Sequence, residues 1–227
     1  ALVCPVASAV KRGIKVVVSD SKLQSDKQES FVATDNYAGG KLAARRLAAL
    51  MKGKGNALMM RYAEGSASTS NRERGFLDGM NEYAPDVTLV STDQYGGVTA
   101  ESALQAGQNL LNKYTDLQGI FCPNESTTFG MLRALQTAGR AGKTSFVGFD
   151  AGDPLIKALR EGEIHGLVVQ NPLNMGYLGV KAAAAAIKGE PVQKRVDTGV
   201  MMVTAENYRE PEVRNVVSPD LAKWLDK

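Results

Sequence analysis

The chain has 227 residues and a formal net charge of +3, with 44% hydrophobic and 22% charged residues. This length is enough for a sizeable core in two lobes, and the composition is that of an ordinary globular protein. The small charge, without a dense Lys/Arg run, argues against a nucleic-acid partner, and no apolar run reaches the length of a membrane span.

Short apolar runs recur along the chain. The first of them, Ile14 to Asp20, is rich in β-branched residues and ends in an acid, and the segment before it reads as the inside of a helix. The later runs cover residues 56–62, 87–92, 117–124, 145–150, 165–171 and 198–203. Because most of these runs are continuously apolar rather than alternating, they predict strands that are covered on both faces.

Helical segments lie between the apolar runs. They cover residues 35–53, 70–83, 99–114, 125–142, 153–162 and 172–189. Asp35, Ser70 and Thr99 are placed to cap helices, and Pro154 and Pro172 stand near helix starts, where a missing N–H costs little. The alternation of strand and helix predicts an α/β fold with a doubly wound parallel sheet. The tail after Gly199 differs, and it ends in a short helix whose Trp224 we predict to be a packing anchor.

Polar side chains follow the predicted strands. In an open parallel sheet, ligands bind beyond the carboxyl ends of the strands. The polar residues at or after these ends include Asp20, Arg72, Asn124, Asp150 and Gln170. Asp accepts hydrogen bonds, Arg donates them, and Asn and Gln do both, so the set can satisfy hydroxyl groups. Each residue alone is more often a helix cap or a turn residue, but together they predict a site for a hydroxyl-rich ligand.

One aromatic residue could complete such a site. Tyr95, in the segment DQYGGVT, could offer an apolar face to the C–H side of a sugar ring. The alternative, a loop aromatic that packs on its own domain, is left open by the sequence.

Catalytic and metal-binding patterns are not evident. His165, the single histidine, precedes an apolar run without an evident Ser or Cys partner, and no phosphate-binding glycine motif follows a strand. Cys4 and Cys122 lack metal-ligand spacing, which favours two small buried residues, although a disulfide stays open. We therefore expect no catalytic residue, no metal and no cofactor.

Several segments together resemble the periplasmic sugar-binding proteins of ABC transporters, of the ribose-binding type. They occur in the family's order: ATDNYAGGKLAARRLA, STSNRERGFLDGM, GIFCPNESTTFGMLRALQTAG, FVGFDAGD and LVVQNPLNMGYLGVKAA. The resemblance implies a two-lobed periplasmic-binding-protein fold that closes over a sugar or polyol in the cleft between its lobes. It also implies a membrane permease as partner, a periplasmic or otherwise extracytoplasmic location, and sugar binding by the same five strand-end residues.

The resemblance also divides the chain. Residues 1–34 plus 171–199 would form a partial N-terminal lobe, and residues 35–170 plus 200–227 would form the C-terminal lobe. The chain would cross between lobes at hinge residues Thr34, Asp35, Gln170 and Asn171, with a third crossing near Gly199.

Two features depart from the family pattern. Ser21 stands where the family often has an Arg, so one charged donor is missing. Family members also begin with about three more strand–helix units, each of roughly 30 residues, and no signal peptide is visible. We therefore expect an incomplete N-terminal lobe, whose open sheet edge would favour self-association.

Two other functions compete with a non-enzymatic sugar receptor. The effector domain of a LacI-type transcription repressor has the same two-lobe fold, and a helix-turn-helix upstream would identify it, whereas a signal peptide there would identify the receptor. An enzyme on a related α/β fold is disfavoured, because no nucleophile–base pair is evident. The sequence does not identify which sugar or polyol is bound.

Overall fold

A computed structural model describes residues 2–222, and the segment that contains Trp224 lies outside the described residues. The helices are α1 (Val3–Lys11), α2 (Asn36–Leu50), α3 (Ala67–Tyr83), α4 (Ala100–Lys113), α5 (Glu125–Thr137), α6 (Asp153–Arg160), α7 (Pro172–Lys188) and α8 (Pro211–Val217). The strands are β1 (Val17–Ser19), β2 (Ser30–Ala33), β3 (Gly55–Met59), β4 (Val87–Ser91), β5 (Gly119–Phe121), β6 (Ser145–Phe149), β7 (Gly166–Gln170), β8 (Arg195–Asp197) and β9 (Val200–Val203). Within residues 2–222, no helix has both the length and the apolar character that a bilayer span requires.

The chain divides into two compact units. The smaller unit contains Ala1–Asp35 and Gln170–Val200, and the larger unit contains Asn36–Val169 and Met201–Lys227. The chain therefore changes unit three times, each time within one residue of a predicted lobe boundary. That these units act as the lobes of a hinged clamp stays a prediction.

The larger unit is built on a sheet in the order β4-β3-β5-β6-β7-β9. The pairs from β4 through β7 are parallel. The strand order reverses at β3, which has β4 on one side and β5 on the other. Such a reversal is the position at which open α/β sheets bind ligands, outside the carboxyl ends of the strands. The predicted α/β fold with parallel strands is confirmed.

Helices α2 and α3 pack backbone to backbone, because glycines stand at their crossing. A Cβ atom added to Gly40 would lie 2.0 Å from the carbonyl oxygen of Arg72, and one added to Gly75 would lie 2.1 Å from that of Tyr37. Larger side chains would force the helices apart. The close approach places the start of α2 beside Arg72, a predicted site residue.

The smaller unit has a three-stranded parallel sheet in the order β1-β2-β8. Neither β2 nor β8 was predicted, because both are short and β8 contains an Arg and an Asp. Helix α7 covers part of this unit, and it also leaves several large apolar side chains exposed: Leu173, Tyr177, Val180 and Ile187.

Two cap predictions have different outcomes. Thr99 caps α4, where its hydroxyl accepts a hydrogen bond from the backbone N–H of Ser102 at 3.1 Å. The prediction for Ser70 is wrong, because α3 begins one turn earlier, after the extended residue Ser66, and Ser70 lies inside the helix. The segment SASTS offers several small polar residues, so its sequence alone does not fix the first helical turn.

Candidate functional site

Arg72 is buried at the carboxyl end of the larger sheet. This residue on α3 is 3% exposed. Its Nε donates to Oδ1 of Asn36 at 2.7 Å, and its Nη1 donates to the carbonyl oxygen of Pro123 at 2.9 Å. The guanidinium also lies over the ring of Phe149, 3.8 Å from its centroid. The cation is thus fixed by residues from α2, from the end of β5 and from β6.

Asp150 meets the same guanidinium at the end of β6. The distance from Oδ2 of Asp150 to Nη1 of Arg72 is 4.0 Å, which is an ion pair but longer than a hydrogen bond. The same oxygen accepts a hydrogen bond from the backbone N–H of Glu125 at 3.2 Å. Asp150 has a left-handed backbone with φ 71°, and its own N–H donates to the carbonyl of Val168 on the neighbouring strand at 2.8 Å. Its side chain is 24% exposed, so the carboxylate reaches the surface of the unit.

Asn124 stands at the start of α5, next to the carbonyl that binds Arg72. Its amide Nδ2 donates to Oγ of Ser126 at 3.0 Å, and its Oδ1 accepts from Oγ1 of Thr127 at 2.6 Å. These two hydrogen bonds hold the Asn124 side chain against the first turn of α5. The structure places Arg72, Asn124 and Asp150 close together at the carboxyl end of the larger sheet. Ligand binding by these three residues stays a prediction.

A cleft of about 480 Å³ adjoins Asn124 on this surface. Apolar side chains line part of it, among them Val98, Phe129 and Leu155, together with the acid Glu125. Partial burial, and then the negative charge of Asp150, raise the pKa of Glu125 above its usual value of 4.5. Glu125 was not selected from the sequence for a distinct role, although it follows Asn124 directly.

Tyr95 lies on the segment that follows β4, and it is 46% exposed. Its backbone pairs with that of Arg61 in an isolated parallel bridge, and the Arg61 guanidinium lies 5.9 Å from the centroid of its ring. The predicted role of Tyr95 in stacking against a ligand stays a prediction.

Asp20 and Gln170 belong to the smaller unit. Asp20 follows β1, has φ 68°, and donates its backbone N–H to the carbonyl of Val32 at 3.1 Å. Gln170 is the last residue of β7, and Asn171 caps α7 by accepting a backbone N–H from the first turn at 3.0 Å. Ligand binding by Asp20 and Gln170 stays a prediction.

Two of the predicted crossing segments are hydrogen-bonded to each other. Thr34 and Thr198 approach with their hydroxyl oxygens 3.5 Å apart. The carboxylate of Asp197 accepts the backbone N–H of Asp35 at 3.0 Å and that of Gly199 at 3.1 Å. A shared carboxylate therefore ties the two segments where the chain leaves the smaller unit, and their role as a hinge stays a prediction.

His165 and Cys122 fit structural roles. Nδ1 of His165 accepts the backbone N–H of Phe146 at 3.1 Å, and burial, followed by the charge of Arg46, lowers the pKa of His165. The prediction of two buried cysteines is confirmed for Cys122 and wrong for Cys4, which is exposed on the short helix α1; both are free thiols, so they do not form the disulfide that the sequence left open. Burial raises the pKa of Cys122 well above its usual value.

Sequence reasoning missed two neighbours of Arg72. Asn36 supplies its acceptor from the start of α2, and Phe149 supplies the ring on which the guanidinium lies. Signals for both were present, since Asn36 follows the predicted cap Asp35 and Phe149 precedes Asp150. What the sequence did not show is that α2 and α3 approach closely enough for Asn36 to reach Arg72.

Comparisons with known proteins agree with this architecture. The sequence profile of the family described as "Periplasmic binding protein domain" matches residues 1–191. The chain is 33% identical over 204 residues to the ribose import binding protein RbsB of Salmonella typhimurium, covering 87% of this chain and 67% of that protein. The chain spans about two thirds of the length of such curated relatives.

Solved structures are similar over most of the chain. One is a carbohydrate-transporter solute-binding protein from Agrobacterium radiobacter in complex with D-arabinose, with a TM-score of 0.90 and 33% identity over 95% of this chain and 74% of that one. Another is the periplasmic component of an ABC-type sugar transport system from Hahella chejuensis, with a TM-score of 0.85 and 40% identity over 89% of this chain and 74% of that one. The chain belongs to the periplasmic binding protein domain family, so the family resemblance seen in the sequence is confirmed.

Proposed function

We propose that this member of the periplasmic binding protein domain family is the substrate-binding component of an ABC transporter. Its ligand would be a sugar or a sugar-like polyol, its partner a membrane permease, and its location periplasmic or otherwise extracytoplasmic. The observation that carries the proposal is the surface where the buried Arg72 guanidinium lies beside Asp150 and Asn124 at the carboxyl end of the larger sheet.

The chemistry of these side chains suits hydroxyl groups. A sugar hydroxyl both donates and accepts a hydrogen bond. Asp150 can accept from it, and the Asn124 amide offers both functions. Hydrogen bonds to charged groups are about twice as strong as neutral ones, so a fixed carboxylate and guanidinium favour a neutral ligand with many hydroxyl groups. Because Asn36, Pro123 and Phe149 already fix Arg72, little ordering of this side chain would be needed on binding.

The proposal is that the chain binds its ligand and does not transform it. His165 uses Nδ1 to accept a backbone N–H, and Cys122 is buried with a raised pKa. Neither group is arranged as a nucleophile with its base. The relatives described above are named as binding proteins, which supports the same proposal.

The alternative, the effector domain of a LacI-type repressor, shares the fold. The relatives and structures reported above are described as import or transport proteins, which favours the transport function. Binding of a ligand alone does not separate these two functions. Capture of a cognate permease in reconstituted vesicles, stimulated by the ligand, would support the transport role.

Calorimetric titration of the 227-residue chain against aldoses, ketoses and polyols tests ligand binding directly. At least one of them should bind, and Asn124→Ala should weaken that binding by about 2- to 10-fold, the loss of one neutral hydrogen bond. Asn112→Ala is the matched control, because Asn112 is exposed near the far end of α4. Absence of binding to every member of the panel would contradict the proposal.

A further inference from the structure

Glu73 is a buried acid that the proposed ligand set does not use. It lies on α3, one residue after Arg72, and is 2% exposed. Its Oε2 accepts a hydrogen bond from Nη1 of Arg61 at 3.0 Å, and its Oε1 accepts the backbone N–H of Tyr62 at 3.2 Å. Burial raises the pKa of Glu73, while these two donors oppose the rise. Burying a charge is costly unless it is paired, so this carboxylate holds Arg61 in one place.

Arg61 in turn holds the segment that carries Tyr95. Its side-chain Nε donates to the carbonyl oxygen of Thr92 at 2.6 Å. Its backbone N–H donates to the carbonyl of Gln94 at 2.8 Å, and its own carbonyl accepts the N–H of Gly96 at 2.7 Å. Residues 92–96 are therefore attached to Arg61 by both its side chain and its backbone.

The Tyr95 side chain lies near the Arg61 guanidinium and is also partly exposed to solvent. The Arg61 guanidinium lies on one side of it, 5.9 Å from the ring centroid. Since the residue is 46% exposed, a substantial part of the side chain is open to solvent. A cation near an aromatic ring favours one orientation of that ring, and the exposed part of the Tyr95 side chain is accessible to a ligand.

We propose that Glu73 is a positioning residue, which through Arg61 fixes the Tyr95 ring for stacking against the sugar. This inference rests on the proposed sugar-binding function and deepens it. Glu73 does not touch the ligand. It keeps the Arg61 side chain hydrogen-bonded to the Thr92 carbonyl and close to the Tyr95 ring. The ring is therefore held in one orientation in the absence of ligand.

Glu73→Gln tests the proposal with little change in shape. Gln keeps a carbonyl oxygen for the Tyr62 N–H but loses the charge that holds Arg61. Glu82→Gln is the matched control, because Glu82 lies on the same helix, is exposed, and pairs with a lysine. We expect Glu73→Gln to weaken sugar binding by about 2- to 10-fold, up to the value of one aromatic contact, and Glu82→Gln to leave it unchanged.

A double-mutant cycle with Tyr95→Ala distinguishes positioning from a general structural role. If Glu73 acts through Tyr95, then Glu73→Gln should weaken binding in the wild-type chain but have little further effect in the Tyr95→Ala chain. Equal effects of Glu73→Gln in both backgrounds would overturn the proposal. The proposal would also be overturned if the single variant Tyr95→Ala weakened sugar binding while the single variant Glu73→Gln bound sugar as tightly as wild type.

Hydrogen exchange supplies a measurement that needs no sugar. The backbone N–H groups of Gly96 and Gly97 donate to the carbonyls of Arg61 and Tyr62, at 2.7 Å and 2.9 Å. Glu73→Gln should speed exchange at these two amides, and unchanged protection would overturn the positioning role. This arm separates failure of the inference from failure of the proposed function, which would appear as a wild-type chain that binds no sugar.

Arg61→Lys is a second test of the proposal, and it can be used if the Glu73→Gln variant does not fold. Lys keeps a positive charge for Glu73 but cannot make the planar, two-sided contact that Nε and Nη1 make with Thr92 and Glu73. It should therefore weaken sugar binding and speed exchange at Gly96 and Gly97. Wild-type behaviour in both measurements would contradict the proposal.

Discussion

Replacement of Asp150 by Asn isolates the charge of the carboxylate. Asp150 has φ 71°, and its Oδ2 accepts the backbone N–H of Glu125 at 3.2 Å. Asn tolerates a left-handed backbone and keeps an oxygen for that N–H, so the local structure should survive. What is lost is the negative charge beside Arg72 and the charged acceptor for a ligand hydroxyl.

The expected loss of affinity follows from that one acceptor. A hydrogen bond to a charged group contributes about 1.5–3 kcal/mol, which corresponds to roughly 10- to 150-fold in affinity. The side chain of Asp150 is 24% exposed, so solvent screens part of the charge and the lower half of this range applies to Asp150→Asn. Asp150→Gly, which removes both oxygens, should reach the upper half.

The choice of Gly rather than Ala comes from the backbone. A left-handed conformation costs about 1–2 kcal/mol for a residue with a Cβ and almost nothing for Gly. Asp150→Ala would therefore mix the loss of the acceptor with backbone strain and should lower the melting temperature. Asp150→Gly avoids that strain, although it still loses the bond to the Glu125 N–H.

Calorimetric titration with the sugar found by panel screening, and differential scanning calorimetry of the same samples, measure the two effects separately. We expect wild type to bind most tightly, Asp150→Asn less tightly and Asp150→Gly least tightly. The melting temperatures of the three proteins should not follow this order. If Asp150→Asn and Asp150→Gly bind as tightly as wild type, the acid only fixes the loop after β6 and the reasoning from the strand ends fails.

Three further predictions concern stability and assembly. Gly75→Ala should lower the unfolding free energy measured in urea by about 1–3 kcal/mol, because its Cβ would lie 2.1 Å from a carbonyl oxygen. Its matched control, Gly179→Ala, lies in an open part of α7 and should raise the unfolding free energy by about 0.5–1 kcal/mol. The pKa of His165 is lowered from 6.5, so the unfolding free energy should fall as the pH drops below that value, since only the unfolded chain readily takes up the proton. His165→Asn should remove that part of the pH dependence. The exposed apolar face of α7 predicts self-association in sedimentation velocity, reduced by Tyr177→Glu or Val180→Glu; a wild-type monomer at every concentration would contradict this.

The pattern of apolar runs was sufficient to predict most of the larger sheet. Strands such as β6 and β7 are mostly apolar and have a neighbouring strand on each side, so burial on both faces is visible in their sequence. Strands β2 and β8 were not predicted, because β2 is a run of four residues and β8 reads Arg-Val-Asp. Their pairing joins segments more than 160 residues apart in the chain, with Phe31 opposite Arg195, and local pattern does not contain that information.

The candidate site was predictable to a similar extent. Rules for strand ends selected Arg72, Asn124 and Asp150, which the structure places on one surface. They did not select Asn36 or Phe149, because these contacts depend on how α3 lies against α2 and β6. The relevant signal was the glycines at the helix crossing. They allow α2 and α3 to approach closely, but which backbone each glycine faces depends on the three-dimensional structure.

Asp20 and Asp150 repeat one local arrangement in two separate units. Each follows a parallel strand, has φ close to 70°, and donates its N–H to a carbonyl of the neighbouring strand, Val32 in one case and Val168 in the other. The N–H thus continues the ladder for one residue while the left-handed backbone turns the chain out of the strand. Asp tolerates this conformation better than residues with a larger side chain do, and its carboxylate is an acceptor for hydroxyl groups. A strand-end Asp therefore satisfies the backbone and the proposed ligand together, which makes it a more informative sequence signal than a strand-end Glu.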